Sequence, residues 1–207
     1  MPRNSEVVHR RLQQASLELF LERGYDQTTT AEIAARAGVT QRTFFRHFAD
    51  KRDTLFGQEI RLETSLVNAV AHAPPHLTPV QMILVALQAV EAIFEEQRAF
   101  IEPRYAIIAA TPALNERELT KTTALTGLLA SALEQRGMAK AVATLAAQAS
   151  MAACNYAVTA WLADSSVRLS IQFDRAFAQL AHLFSKTLPE LQETEVRSRA
   201  NRGLKSD

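Results

Sequence analysis

Apolar residues recur every three to four positions along most of this chain, and no stretch alternates apolar and polar over the length of a strand. That spacing is the period of amphipathic helices. Val8, Leu12, Ala15, Leu19 and Phe20 fall on one stripe, which predicts a helix from about Ser5 to Arg23 that stops at Gly24. Two shorter patterns follow between Thr29 and Phe48. Thr29 with Glu32 three residues on is a capping box, and Ile33, Ala34 and Ala37 supply the apolar face behind it. Gly38 comes where the chain must turn with positive φ, and Thr40 opens a second short helix. In that helix Phe44, Phe45 and Phe48 are apolar while Gln41, Arg42, Arg46 and His47 are not. The arrangement predicts a helix-turn-helix.

A long helix is expected next, from Lys51 behind the N-cap candidate Asp50 to about His72, carrying Leu55, Phe56, Ile60, Leu62, Leu66, Val67 and Val70. Lysine in a first turn opposes the helix dipole. Pro74-Pro75 breaks the chain, and Thr78, Pro79 and Gln81 open the next helix with a cap, an N1 proline and a capping box together. That helix carries Val80 to Phe94 before a polar exit at residues 95–98. Further helices are expected from about Pro103 to Ala110, from Thr111-Pro112 to about Arg136, from Ala139 to Ala163, and from Leu169 to Thr187. After Pro189 the chain is polar, and a flexible tail is expected over 189–207. The fold expected is all-α: an N-terminal three-helix helix-turn-helix domain over 1–52, and a C-terminal helical bundle over 53–188.

Composition changes this picture little. The 207 residues are 47% hydrophobic and 22% charged, with a formal net charge of +1. The whole-chain balance therefore does not announce nucleic acid, but the placement of basic groups does. Arg3, Arg10 and Arg11 lie near the start, and Arg42, Arg46, Lys51 and Arg52 lie in and just after the second motif helix. Such clusters are usually solvated faces. Two of them flanking a helix-turn-helix point to phosphate contacts. The single cysteine, Cys154, excludes an internal disulfide and fits a reducing cytoplasm. The opening MPRNSEVVHRR has no apolar core of signal-peptide type, and no run is long and apolar enough to span a membrane.

Catalytic signatures are missing: there is no phosphate loop, glycine-rich nucleotide turn or cluster of metal ligands, so neither an enzyme nor a cofactor is expected. The histidines are scattered, and His72 with His76 across the Pro-Pro turn suits a turn better than a metal. Cys154 reads first as a small buried hydrophobe and second as a redox sensor. The second motif helix carries the chemistry. Arg42 can bind guanine O6 and N7 and Gln41 adenine N6 and N7, while Thr40 and Thr43 can meet phosphates or a thymine methyl.

The run from Val8 to Phe56 resembles the DNA-binding domain of the TetR family of bacterial transcriptional regulators. The resemblance rests on Ala15, Leu19, Phe20, Gly24, Tyr25, Thr28, Thr29, Ile33, Ala34, Ala37, Gly38, Val39, Thr40, Thr43, Phe44, Phe45, His47, Phe48, Lys51 and Leu55, in order and without gaps. It implies DNA contacts from Thr29, Thr40, Gln41, Arg42, Thr43, Phe45, Arg46, His47 and Lys51, with His47 and Lys51 on the backbone. Two positions depart from the family. Phe45 stands where tyrosine is usual and lacks the hydroxyl that would bind phosphate. Arg42 stands where glycine is frequent, which suggests a different base preference. The resemblance further implies a cytoplasmic homodimer on double-stranded operator DNA, most simply a repressor released by a small-molecule effector. The helix from 51 to 72 would transmit the signal.

Polar residues inside the apolar C-terminal helices are the candidate effector contacts: Thr122, Thr123, Thr126, Asn155 and Thr159, beside Tyr105, Met151 and Trp161. The last two helices are expected to form the dimer interface through Leu169, Phe173, Ala176, Phe177, Leu180, Leu183 and Phe184, unless that stripe closes the monomer core instead. The competing reading of the whole chain is a helical protein-interaction module without DNA binding.

Overall fold

The computed structural model describes residues 2–56 and 59–183. Among these every regular element is a helix: α1 Pro2–Arg23, α2 Thr30–Arg36, α3 Gln41–His47, α4 Asp53–Phe56, α5 Glu59–His72, α6 Pro79–Ala89, α7 Glu91–Glu96, α8 Arg98–Ala110, α9 Pro112–Gln135 and α10 Lys140–Ala163, then α11 over 169–183. The capping signals act as their spacing predicts. The Thr29 amide donates to Glu32 Oε2 at 2.9 Å while the Glu32 amide donates to Thr29 Oγ1 at 3.3 Å, and Thr78 and Gln81 repeat the exchange at 2.9 and 3.4 Å.

Two hydrophobic clusters divide the molecule. The first gathers Leu12, Leu19 and Phe20 of α1, Ile33 and Ala34 of α2, Phe44 and Phe48 around α3, and Leu55 and Phe56 of α4. It also takes in Ile107 and Ile108 of α8 and Leu114 of α9, so the N-terminal helices complete their core with side chains from the other half of the chain. The second is built on α10, whose Ala143, Ala147 and Ala157 are fully buried beside Trp161. Alanines let α6 and α9 approach α10 closely, and Met82, Ile83, Leu129 and Leu133 fill the space between.

Several elements differ from the sequence expectation. The predicted helix from Thr78 through Phe94 breaks at Val90, where bonding tightens to i→i−3: the Val90 amide donates to Leu87 O at 3.2 Å and the Ile93 amide to Val90 O at 3.1 Å. The break brings the α7 carboxylates onto the first turn of α11. Glu91 Oε1 accepts from the Ser170 amide at 3.0 Å, and Glu95 Oε1 from the Leu169 amide at 2.9 Å. Burial alone would raise the Glu91 carboxyl, but the Ser170 and Arg168 bonds outweigh it and hold it below its usual range. Pro103 does not start a helix but lies inside α8. The earlier start follows from Gln97 O accepting from the Phe100 and Ile101 amides at 2.8 and 2.9 Å. Arg98 anchors this turn by donating to Trp161 O at 2.6 Å.

The predicted helix over 51–72 is seen as α4 and α5, with 57–58 outside the described residues. Asp50 does cap, its Oδ1 accepting from the Arg52 and Asp53 amides at 2.7 and 3.1 Å. On α11 the stripe expected at a dimer interface closes the chain's own core: Leu169, Phe173, Ala176 and Phe177 are buried against α6 and α10 residues. Phe184, the end of that helix and the tail lie outside the described residues.

Candidate nucleic-acid interface and internal cavity

The α2–α3 turn is set by backbone chemistry. Gly38 has φ +67°, a left-handed conformation. A Cβ at Gly38 would lie 2.6 Å from Arg11 Nη2, and that guanidinium donates to Ala37 O, the last carbonyl of the α2 cap. Thr40 Oγ1 accepts from the Thr43 amide at 3.2 Å, which caps α3, and the two hydroxyls lie 3.0 Å apart. With Phe44 and Phe48 buried, the opposite face of α3 presents Gln41, Arg42, Phe45 and Arg46 to solvent.

Among the basic groups the structure draws a distinction that composition could not. Arg36 is tied to Glu22 at 2.8 Å and Glu18 at 3.3 Å, Arg23 to Glu32 at 2.6 Å, and Arg52 to Asp50 at 2.5 Å. Arg42 and Arg46 make no hydrogen bond or ion pair among the described residues, and both are exposed. Gln41 Nε2 donates to Thr30 Oγ1 at 3.0 Å, which fixes its side chain along the turn. Thr29 is exposed at the start of α2 with its hydroxyl on Glu32. Phe45 is 52% exposed and meets Phe44 edge-on, with ring centroids 5.4 Å apart.

Lys51 is placed differently. Its ammonium donates to Tyr25 O at 2.7 Å and Thr28 O at 2.9 Å, reaches Asp26 O at 3.4 Å, and lies 4.3 Å from the Tyr25 ring centroid. It staples the α1–α2 link, which explains a lysine where the helix dipole disfavours one. His47 is half-buried at the end of α3 with Nε2 unpartnered. Its ring lies 6.0 Å from His9, which stacks on Phe48 at 4.4 Å. Desolvation lowers both imidazoles below their ordinary 6.5, with Arg46 adding to the effect at His47, and His47 to that at His9.

In the second half of the chain a cavity of about 370 Å³ lies between α5, α8, α9 and α10. Tyr105, Thr122, Met151 and Asn155 line it. Thr126 and Thr159 do not: their hydroxyls bond back to Thr122 O at 2.7 Å and Asn155 O at 2.9 Å. Trp161 is absent from the lining as well, being fully buried with Nε1 on Glu95 Oε1 at 3.1 Å. Ile93, Leu119 and Asn155 are both lining and exposed, so the cavity opens to solvent there. Cys154 is in the wall, where burial pushes its thiol up to about 12 and suppresses the reactive thiolate. Charges also line the cavity where sequence reasoning placed none: Glu63, Arg104, Glu118 and Lys121. Gln13 of α1 and Leu55 and Phe56 of α4 reach it too, so the wall includes the N-terminal helices.

Residues 12–56 match the profile of bacterial regulatory proteins of the tetR family, and residues 77–185 match the MftR C-terminal domain. The chain belongs to the TetR family. It is, by class, a DNA-binding transcriptional regulator. It is 37% identical to the HTH-type transcriptional regulator TcmR of Streptomyces glaucescens over 75 residues, 36% of this chain and only 33% of TcmR. It is 24% identical over 186 residues to MftR of Mycobacterium tuberculosis, provisionally named a mycofactocin biosynthesis transcriptional regulator, which covers 86% of this TetR-family chain and 94% of that one. NalD, the secondary repressor of the MexAB-OprM multidrug efflux pump in Pseudomonas aeruginosa, shares the fold: TM-score 0.61 at 19% identity, over 87% of this chain and 96% of NalD. No helix among the described residues is long and apolar enough to cross a membrane.

Proposed function

We propose that this TetR-family chain is a dimeric repressor that acts in the cytoplasm on double-stranded operator DNA and leaves it when a small molecule fills the internal cavity. The observation that carries the reading is the shared wall: Gln13 of α1, and Leu55 and Phe56 of the N-terminal core, line the cavity, so an occupant touches the elements that hold α3. Arg42 and Gln41 read bases from the first turn of α3, and Thr29, Thr40, Thr43, Phe45, Arg46 and His47 approach the backbone, Phe45 by packing on sugar. Lys51 acts on DNA through the link it staples. Residues 1–52 form the DNA-reading unit, whose core is completed by Leu55 and Phe56 from the start of the effector and dimer unit over 53–188. A solved structure of the same fold favours a ligand role for this kind of bundle: that of SmeT, with TM-score 0.60 at 19% identity, is a triclosan complex.

The dimer face is proposed on the exposed side of α10 and α11, where Leu145 is 66% and Tyr156 67% exposed, with Val142, Ile171 and Leu183 also exposed. Two copies are needed because one recognition helix reads only a short half-site. The deciding experiment is a gel shift with DNA from upstream of the chain's own gene and its neighbours, run beside sedimentation of the free protein. Specific retardation by a dimer is expected. A monomer with no sequence preference would favour the interaction-module reading instead.

A further inference from the structure

The two helices of the turn motif meet through side chains as well as through Gly38. Thr30 is the first residue of α2 and Gln41 the first residue of α3, so each sits on a turn whose backbone is fixed by the cap before it. Thr29 accepts from the Glu32 amide at 3.3 Å, and Thr40 from the Thr43 amide at 3.2 Å. The neighbouring threonine hydroxyls are engaged locally. That of Thr29 donates to Glu32 Oε2 at 2.9 Å, that of Thr28 to Gly24 O at 3.0 Å, and those of Thr40 and Thr43 lie 3.0 Å apart. The Thr30 hydroxyl instead reaches across the turn and accepts from Gln41 Nε2 at 3.0 Å, a bond that spans 11 residues of chain. Thr30 is half-buried, while Gln41 is exposed on the face that α3 turns outward.

A glutamine amide carries two N–H donors and a carbonyl acceptor. With one N–H on Thr30, the other N–H and Oε1 are left to act together, and that pair matches adenine N7 and N6 in the major groove. We infer that Thr30 is a positioning residue for base reading. Its hydroxyl holds the Gln41 amide in one orientation before DNA arrives, so α2 contributes to specificity without touching a base. This rests on the reading of Gln41 as a base contact and says what sets that contact. An exposed glutamine otherwise samples many rotamers, and stilling one on binding costs affinity. Arg42, one residue on, is exposed without such a tie, so DNA itself has to order it. A bond that withdrew Gln41 from DNA would bury the amide, whereas this one leaves it exposed with a donor and its carbonyl unspent.

The test is a gel-shift series on the full chain, with the retarded fragment from upstream of its own gene and copies of that fragment carrying each single-base change. Thr30→Val keeps the shape and removes the hydroxyl. It should lower affinity for the unaltered fragment about two- to tenfold, the range for immobilising one side chain, and flatten base preference at the position that Gln41→Ala also flattens. Thr30→Ser should restore both. In the Gln41→Ala background Thr30→Val should have no further effect. A thermal melt of each variant confirms folding, and unrelated DNA of the same length, held through phosphates, should bind Thr30→Val and the unaltered chain equally. A loss shared by every fragment would overturn the proposal and make Thr30 a backbone contact. A tighter complex with Thr30→Val would overturn it too, by showing that the bond withholds Gln41. NMR relaxation of the side-chain amides in the DNA-free protein supplies a readout that needs no operator: Gln41 should be more ordered in the unaltered chain than in Thr30→Val. Equal mobility in both would sink the positioning role, while specific retardation of the fragment would leave the broader function standing.

Discussion

The N-terminal core and the α10 core solve the same problem by different means. The first is the smaller of the two, and a smaller core leaves more of its surface exposed. It borrows Ile107, Ile108 and Leu114 from α8 and α9, and it fixes its links with side chain-to-backbone bonds: Arg11 on Ala37 O, Lys51 on the carbonyls of the α1–α2 link, and Thr28 on Gly24 O at 3.0 Å. The second core is large and alanine-lined around Trp161, and it holds together beside a cavity of about 370 Å³. The N-terminal half thus depends on directional polar ties that set the attitude of α3. The C-terminal half depends on packed area, which tolerates an opening. That division suits the proposed switch, in which a ligand works on the opening without dissolving the core.

Truncating the larger core should have the largest effect. Trp161→Ala removes a fully buried ring, the bond to Glu95 and the seat of Arg98, and a loss of about 3–5 kcal/mol is expected in urea unfolding. A loss near 1 kcal/mol would show that the bundle does not depend on this packing. The smaller core is probed by Lys51→Met, which keeps the stem and removes the ammonium from its carbonyls. About 2 kcal/mol of stability should go with it, as for bonds to a charged donor. If Lys51 served phosphate alone, stability would hold while the slope of log affinity against log salt shallowed by about one unit.

Arg42→Ala tests the exposed face of α3. Affinity for the operator should fall by about 1–3 kcal/mol with relaxed preference at one position per half-site, and urea unfolding should not change. Unaltered base preference would remove Arg42 from the reading set. The smallest effect concerns acid. His9 and His47 are lowered in the folded chain, so below about 6.5 the unfolded chain takes up protons that the folded chain resists. Their contribution is complete above that pH and declines as pH falls toward the lowered values. The melting temperature should therefore drop on acidification from pH 7 to pH 5, less steeply in His9→Gln. Identical slopes in both proteins would place the proton uptake elsewhere.

The helix-turn-helix was legible because its determinants are neighbours in sequence. Thr29 and Glu32 are three residues apart, Gly38 needs only its own φ, and the Phe44–Phe48 spacing names the buried face of α3. The same locality misled at Pro103, a start signal that the anchoring of Arg98 on Trp161 O overrides. It misled again at α11, whose apolar stripe reads alike for a dimer face and for the core it closes. In the cavity, Tyr105, Thr122, Met151 and Asn155 stood out inside apolar helices, whereas no local pattern singles out Arg104 and Lys121.

Sequence by itself determined that the chain is helical, where its caps and turns fall, and which helix shows an apolar side inward and arginines outward, because periodicity and capping act over a few residues. Tertiary structure alone decided which basic side chains are tied to protein partners. Arg36 and Lys51 are engaged by partners 14 and 23 or more residues away, while Arg42 and Arg46 are not. It also decided that Phe56, Arg104, Arg117 and Lys121, drawn from three helices, meet at one ring. Pairing and desolvation depend on distance in space, and helix periodicity carries no record of which charged side chain will find its partner across the fold.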